Sequence, residues 1–217
     1  MTMPLNWLTL NATWSANTNT PYNIEHYQQN LENDNYTKVE TENKTGTTDT
    51  TATATAKTYV WFTYDSTVEG TITSGNIDGN GNLVLKLYYT RNVHTITFVT
   101  SGGTNIPAIT AKYGSWITPP ANPTKDGYDF VDWDDTIPST MPDDDMTITA
   151  QWTPHVYTIG YTLNQWALTG WKTNPTSYTI ESNDITLNNP ERTGYTFLGW
   201  TWTWQSTPNT NVTIAKW

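Results

Sequence analysis

The sequence predicts a mainly β protein built from small modules in tandem. Three observations carry that prediction. Thr, Tyr and Trp are abundant, and such branched and aromatic side chains fit a pleated surface. No stretch sustains a helical period, whereas short apolar/polar alternation recurs. The same blocks return in the same order, the signature of a repeat. Only 14% of the residues are charged and 35% are hydrophobic, with a net charge of −10 and a pI near 4.5. A phosphate polymer or an anionic membrane surface is repelled by such a chain, so no nucleic-acid partner and no membrane insertion are expected. The chain has no Cys, which removes disulfides, thiolate metal sites and Cys nucleophiles.

Taken in order, residues 1–14 read as the tail of a preceding repeat. Met3-Pro4 through Leu8-Thr9-Leu10-Asn11-Ala12-Thr13-Trp14 aligns without a gap on Met141-Pro142 through Met146-Thr147-Ile148-Thr149-Ala150-Gln151-Trp152. A tail without its partner strands is expected to pair poorly. Residues 15–20 are an Asn/Thr-rich linker. A separate module spans about 21–92. It opens on the strand-like Tyr22–Tyr27, continues through a short helix around Gln28–Asn35 and a Thr/Ala run to Thr58, and ends in the strand Leu83–Tyr89 after the tight hairpin turn Asp78-Gly79-Asn80-Gly81. One full repeat follows at 93–152, a linker at 153–155, and a variant repeat at 156–217.

The two repeats match block by block. Val93-His94-Thr95-Ile96-Thr97-Phe98 answers Val156-Tyr157-Thr158-Ile159-Gly160-Tyr161. Asn122-Pro123 with Gly127, Tyr128, Phe130 and Trp133 answers Asn189-Pro190 with Gly194, Tyr195, Phe197 and Trp200. The closing strands end in Trp152 and Trp217, with Trp14 as the third copy. This order resembles the Listeria–Bacteroides repeat, the B repeat of internalin-type bacterial surface proteins, and 21–92 is similar to mucin-binding-protein (MucBP-like) modules. The resemblance implies β-grasp, ubiquitin-like α+β sheets in an elongated array. It brings no catalytic residue. The variant repeat departs from the pattern where Asn164-Gln165-Trp166 stands in place of Ser101-Gly102-Gly103. Trp61, Trp171, Trp202 and Trp204 also occupy places where small residues are expected.

Candidate chemistry is sparse. Asp132, Asp134, Asp135 and Asp143–Asp145 are expected on solvated loops rather than as a glycosidase pair or a Ca²⁺ site. His26, His94 and His155 are scattered and expected at the surface or at strand edges. No cofactor or metal is expected. Trp14, Trp133, Trp152, Trp200 and Trp217 are expected to pack the repeats. Trp202 and Trp204 alternate, so a strand through them would put both rings on one face. With Trp166 and Trp171 they form the candidate adhesive patch, since exposed aromatic rings suit stacking on sugars or a protein partner.

The expected function is therefore that of a non-catalytic stalk or spacer of an extracellular, bacterial cell-surface protein. Its expected partners are neighbouring repeats and host mucin glycans or host surface proteins. Secretion and anchoring signals are absent from the sequence, so placement outside the cell implies a fragment of a longer chain.

Overall fold

The computed structural model describes residues 9–216. Residues 1–8, including Trp7, and the closing Trp217 lie outside the described residues. Contacts divide the chain into two compact units. The first holds the residues up to Ile96 with Ile109–Thr118 and Pro138–Asp145, the second Thr97–Ala108, Pro119–Ile137 and the residues from Met146 on.

In the first unit, β1 (Thr20–Gln29) and β2 (Tyr36–Gly46) pair antiparallel, with a bulge at His26/Tyr27. Three short strands follow, β3 (Thr51–Thr53), β4 (Phe62–Tyr64) and β5 (Ser74–Asn76), and then β6 (Val84–Arg91). The sheet order is β2-β1-β6-β4, with β1 and β6 parallel from Asn23↔Val84 to Gln28↔Tyr89, while β3 and β5 form a separate ribbon. Strict alternation in β6 puts Leu85, Leu87 and Tyr89 on one face, all essentially inaccessible, where they meet Ile24, Ala52 and Ile77 as the core.

Four expectations are corrected in this unit. No helix forms near Gln28–Asn35: Gln28 and Gln29 complete β1, and the chain turns at 30–35. Asn30 N donates to Asn35 O and Asn35 N to Asn33 Oδ1, the local bonding by which Asn competes with helix. No described residue is helical, so the α component of the expected α+β class is not present among them. The Asp78–Gly81 turn closes with Gly81 N donating to Asp78 O and Gly81 at φ 72°. It does not join partners, however: β5 pairs with β3, and β6 with β1 and β4. His26 is not a surface residue. It is fully buried, bonded through Nδ1 to Tyr89 Oη at 2.9 Å and through Nε2 to Glu42 at 2.8 Å, because alternation along β1 puts it on the same inward face as Ile24, opposite Leu87. Finally, Trp14 packs nothing. It is 93% exposed, Leu10 is 83% exposed, and residues 9–14 join no strand.

Trp61 holds φ 69°, in the left-handed region where Gly is favoured. Its ring stacks on Tyr113 at 4.5 Å, and its carbonyl accepts from Asn92 N. The stack offsets the backbone cost.

The full repeat contributes β7 (Val93–Val99), β8 (Ile109–Lys112), β9 (Tyr128–Trp133) and β10 (Met146–Pro154), ordered β8-β7-β10-β9. β10 runs antiparallel to β9, with Ala150 opposite Trp133 and Trp152 opposite Phe130. Alternation buries Ile96 and Phe98 on β7 and Ile148 and Ala150 on β10. The acidic loops are exposed and bond backbone: Asp134 Oδ1 accepts from Thr149 N, and Asp145 Oδ1 from Thr95 N.

The variant repeat lies wholly in the second unit and breaks into three ribbons. These are β11 (Tyr157–Thr158) with β12 (Ser177–Tyr178), β13 (Ile185–Thr186) with β16 (Thr213–Ile214), and β14 (Trp200–Trp202) with β15 (Gln205–Asn209). Its closing strand pairs with β13, through Ile185↔Ile214 and Thr186↔Thr213. The corresponding strand of the full repeat, β10, lies between β7 and β9.

Candidate binding site in the last repeat

Each repeat is built on an aromatic cluster, and the two clusters share corresponding ring contacts. In the full repeat, Phe98 meets Trp133 at 5.4 Å and Phe130 meets Trp133 at 5.5 Å. In the variant, Tyr161 meets Trp200 at 5.6 Å and Phe197 meets Trp200 at 5.5 Å. Lys125 lies over Tyr128 at 4.1 Å, as Arg192 lies over Tyr195 at 4.2 Å. The signature glycines Gly127 and Gly194 take φ 73° and 83°.

The opening turns also correspond. Ser101 and Gly102 have φ 50° and 90°, and Asn164 and Gln165 have φ 48° and 71°. The turn bonds match too, Gly103 N to Thr100 O and Trp166 N to Leu163 O. Two successive positive φ values are the demand of a type I′ turn, which Gly and Asn meet cheaply and Gln does not. The variant loop keeps the backbone of the Gly pair without its glycines.

The third turn residue sets the repeats apart. At Gly103, an added Cβ meets the Trp152 ring at 2.6 Å. Trp152 sits there with its Nε1 donating to Thr100 O at 2.9 Å and its ring edge-on to Phe130 at 5.6 Å. In the variant the equivalent residue is Trp166, whose half-buried ring stands edge-on to Phe197 and to Tyr195 at 6.0 Å each. The loop thus supplies the aromatic partner that the closing strand supplies in the full repeat. Trp217, which holds the closing position, is outside the described residues.

These 60-residue units have a known relative. Residues 94–153 and 157–216, more than half of the chain, match the Listeria–Bacteroides repeat domain. The chain belongs to the Listeria–Bacteroides repeat family. Two proteins of Evansella cellulosilytica are similar to this repeat protein. One is provisionally named a membrane protein and is 30% identical over 127 residues; the other, provisionally named a Gly-rich membrane protein, is 28% identical over the same length. Each alignment covers 55% of this chain but only 18% and 14% of the relative, so the repeat chain spans less than a fifth of the proteins it matches. Among the described residues, no helix is long and apolar enough to cross a membrane.

Within the variant Listeria–Bacteroides repeat lie two neighbouring larger cavities, and a smaller one of about 400 Å³ is lined by Trp166, Glu191, Arg192 and Tyr195 among others. One, of about 700 Å³, is lined by Tyr161, Asn164, Trp166, Phe197, Trp200 and Trp202 among others. The other, of about 740 Å³, is lined by Tyr161, Tyr178, Leu187, Trp200, Trp202 and Trp204 among others. Gly160, Tyr161 and Trp200–Thr203 line both. No Asp, Glu, Lys, Arg or His lines either. The walls combine aromatic faces and aliphatic side chains, among them Leu163, Leu187, Leu198 and Val212, with Thr hydroxyls and one Asn amide.

The candidate patch is therefore gathered in part. Trp166, Trp202 and Trp204 border these cavities, the last two 46% and 90% exposed. Trp171 is fully exposed beside the Gly170 turn and lines neither. Trp202 and Trp204 do not alternate along one strand. Trp202 ends β14, and Thr203-Trp204 is the two-residue loop that returns the chain as Gln205 pairs with Trp202. They border one cavity because the hairpin folds them together. Tyr161, Tyr195 and Asn189, whose Oδ1 accepts from Trp200 Nε1 at 3.1 Å, are repeat-signature residues that the sequence does not assign to the patch. Their repeat equivalents Phe98, Tyr128 and Asn122 are the signal that points to them.

Proposed function

We propose that this chain is a non-catalytic segment of a bacterial cell-surface protein, a stalk whose last repeat also binds neutral sugar rings. The tandem family repeats support the stalk, and the membrane-protein names of the Evansella relatives support the surface setting. We read 21–92 as a MucBP-like module between the 1–14 tail with its 15–20 linker and the repeats at 93–152 and 156–217. The parallel contact of first and last strands in its sheet centre supports a β-grasp-like reading. Mucin glycans are the favoured partner, ahead of a host surface protein.

The observation that carries the binding role is the pair of uncharged, Trp-lined cavities. Apolar walls with a few hydroxyl donors are the usual make-up of a ligand site, and aromatic faces give sugars their stacking surface. The absence of any lining carboxylate argues for binding rather than hydrolysis, which needs two facing carboxyl groups. The test is titration of Trp fluorescence with neutral mucin oligosaccharides and cell-wall polysaccharide. Saturable quenching that disappears in Trp202→Ala/Trp204→Ala supports the role; an unchanged spectrum at every sugar ends it.

A further inference from the structure

The same turn stands in front of a strand at two places in the chain, although the sequence disguises it. Tyr59-Val60-Trp61-Phe62 and Lys125-Asp126-Gly127-Tyr128 each close with the fourth N–H donating to the first carbonyl. The third residue holds φ 69° in one and 73° in the other, the conformation that favours Gly at that place in a turn. The turns lead into β4 and β9, which pair with β6 and β10. Trp61 thus occupies the position of the signature Gly127.

What rests on the two turns corresponds as well. Asn92 and His155 each precede the opening residue of a repeat, Val93 and Val156. Each donates its N–H to the carbonyl of the third turn residue, Trp61 or Gly127, at 2.9 Å. The repeat that follows then lays one side chain on that residue. Tyr113 stacks on Trp61 at 4.5 Å and 16°, and Ile180 packs so closely on Gly127 that an added Cβ would lie 2.6 Å from its Cδ1. Tyr113 and Ile180 are counterparts. Each is second in a turn closed by Ser115 N to Lys112 O or by Ser182 N to Thr179 O. The pairings His94↔Ala111 and Tyr157↔Tyr178 put the two turns in one register. A polar bond flanks each contact, Lys112 Nζ to Asp34 at 2.8 Å and Tyr128 Oη to Glu181 at 3.0 Å.

We propose that these are docking joints: the turn with positive φ is a socket on the preceding segment, the turn after a repeat's second strand is the plug, and the socket residue selects the plug. Bare backbone at Gly127 admits an aliphatic side chain, whereas the indole face of Trp61 takes an aromatic ring. Linked modules move freely unless such an interface holds them. This gives Trp61 a reason to occupy a glycine conformation. It also concerns how successive repeats are strung, and stands apart from sugar binding in the last one.

The experiment is hydrogen exchange of the full chain at the two joint amides, His155 and Asn92. Ile180→Asp and Gly127→Trp are each expected to lower protection at His155 by about tenfold or more, with Asn92, Ile148 and Ile159 unchanged. Tyr113→Ala is expected to do the same at Asn92 alone. Gly127→Trp/Ile180→Tyr, which rebuilds the ring pair of the first joint at the second, is expected to restore His155. Unchanged protection at His155 in Ile180→Asp overturns the proposal, as does a loss shared by Ile148, which marks unfolding rather than undocking. A double variant that recovers nothing overturns the matching of plug to socket. In the unaltered chain, NMR relaxation is expected to give the amides of 128–133 and 157–178 one tumbling time; two separate times overturn the joint without any variant.

Discussion

Truncating Trp152 tests the account of how each repeat is clamped. The ring is half-buried between Phe130 and Gly103, and its indole N–H is bonded to Thr100 O. A Trp buries about 150–250 Å² when enclosed; taking roughly 120 Å² for this ring at about 25 cal/mol per Å² gives about 3 kcal/mol. Losing the indole bond adds about 1 kcal/mol. Trp152→Ala is thus expected to cost about 3–5 kcal/mol, and Trp152→Phe, which keeps most of the apolar contact, about 1–2 kcal/mol. Hydrogen exchange at the Ile148 and Ala150 amides is the assay, since it reads the opening of this repeat rather than of the whole chain. The expected outcome is protection lost by two or more powers of ten in Trp152→Ala, with the Ile24 and Leu87 amides unchanged. A loss of less than about 1 kcal/mol would refute the view that this ring closes the repeat.

The signature glycines give a paired prediction. Ala at Gly194 meets nothing within 4 Å and pays only for its positive φ, about 1–2 kcal/mol. Ala at Gly127 also drives Cβ to 2.6 Å from Ile180 Cδ1, adding about 1–3 kcal/mol, as urea titrations of the two variants would show. Gln165→Gly is expected to raise the melting temperature of the variant repeat, because Gln at φ 71° gains more from relief of strain than Gly loses in entropy; a lower midpoint in calorimetry contradicts the turn assignment. The Lys44 ammonium, then the His26 ring, hold the Glu42 carboxyl down to about 2 from 4.5. A depressed carboxylate stabilises the folded state above its unfolded pKa and loses that contribution as pH falls through the folded one. The first unit is therefore expected to be level above about pH 5 and to weaken between about pH 4.5 and 2, with a shallower decline in Glu42→Gln measured by circular dichroism.

The repeat architecture was legible because its signals are local. Gly-Tyr-x-Phe-x-x-Trp encodes a positive-φ turn and two rings on one face, and the structure repeats those ring distances in both copies. Alternation in Val84–Arg91 likewise announced a buried strand. The Gln28–Asn35 helix failed because Asn side chains bonded their own backbone, an outcome the composition carries. Other outcomes depend on distant partners. Alternation puts His26 on the face of Ile24, but the Tyr89 and Glu42 groups that satisfy its ring come from other strands. Nothing in Trp202-Thr203-Trp204 distinguishes a strand from a hairpin until the pairing of Gln205 is known. The split of the variant repeat into ribbons was foreshadowed at Trp166, where a ring stands in the place of the glycine that accommodates Trp152, although the place of the closing strand depends on its pairing with Ile185 and Thr186.

The parallel contact between β1 and β6 has a mechanical corollary. Tension applied to residues 20–91 enters at the start of β1 and leaves at the end of β6, pulling the two strands past each other along their length. The ladder from Asn23↔Val84 to Gln28↔Tyr89 then bears load in shear, all rungs together, instead of opening one rung at a time. A module tethered in this way yields at a rate governed by its unfolding barrier, a useful property for an element that must stay folded while something tugs on it.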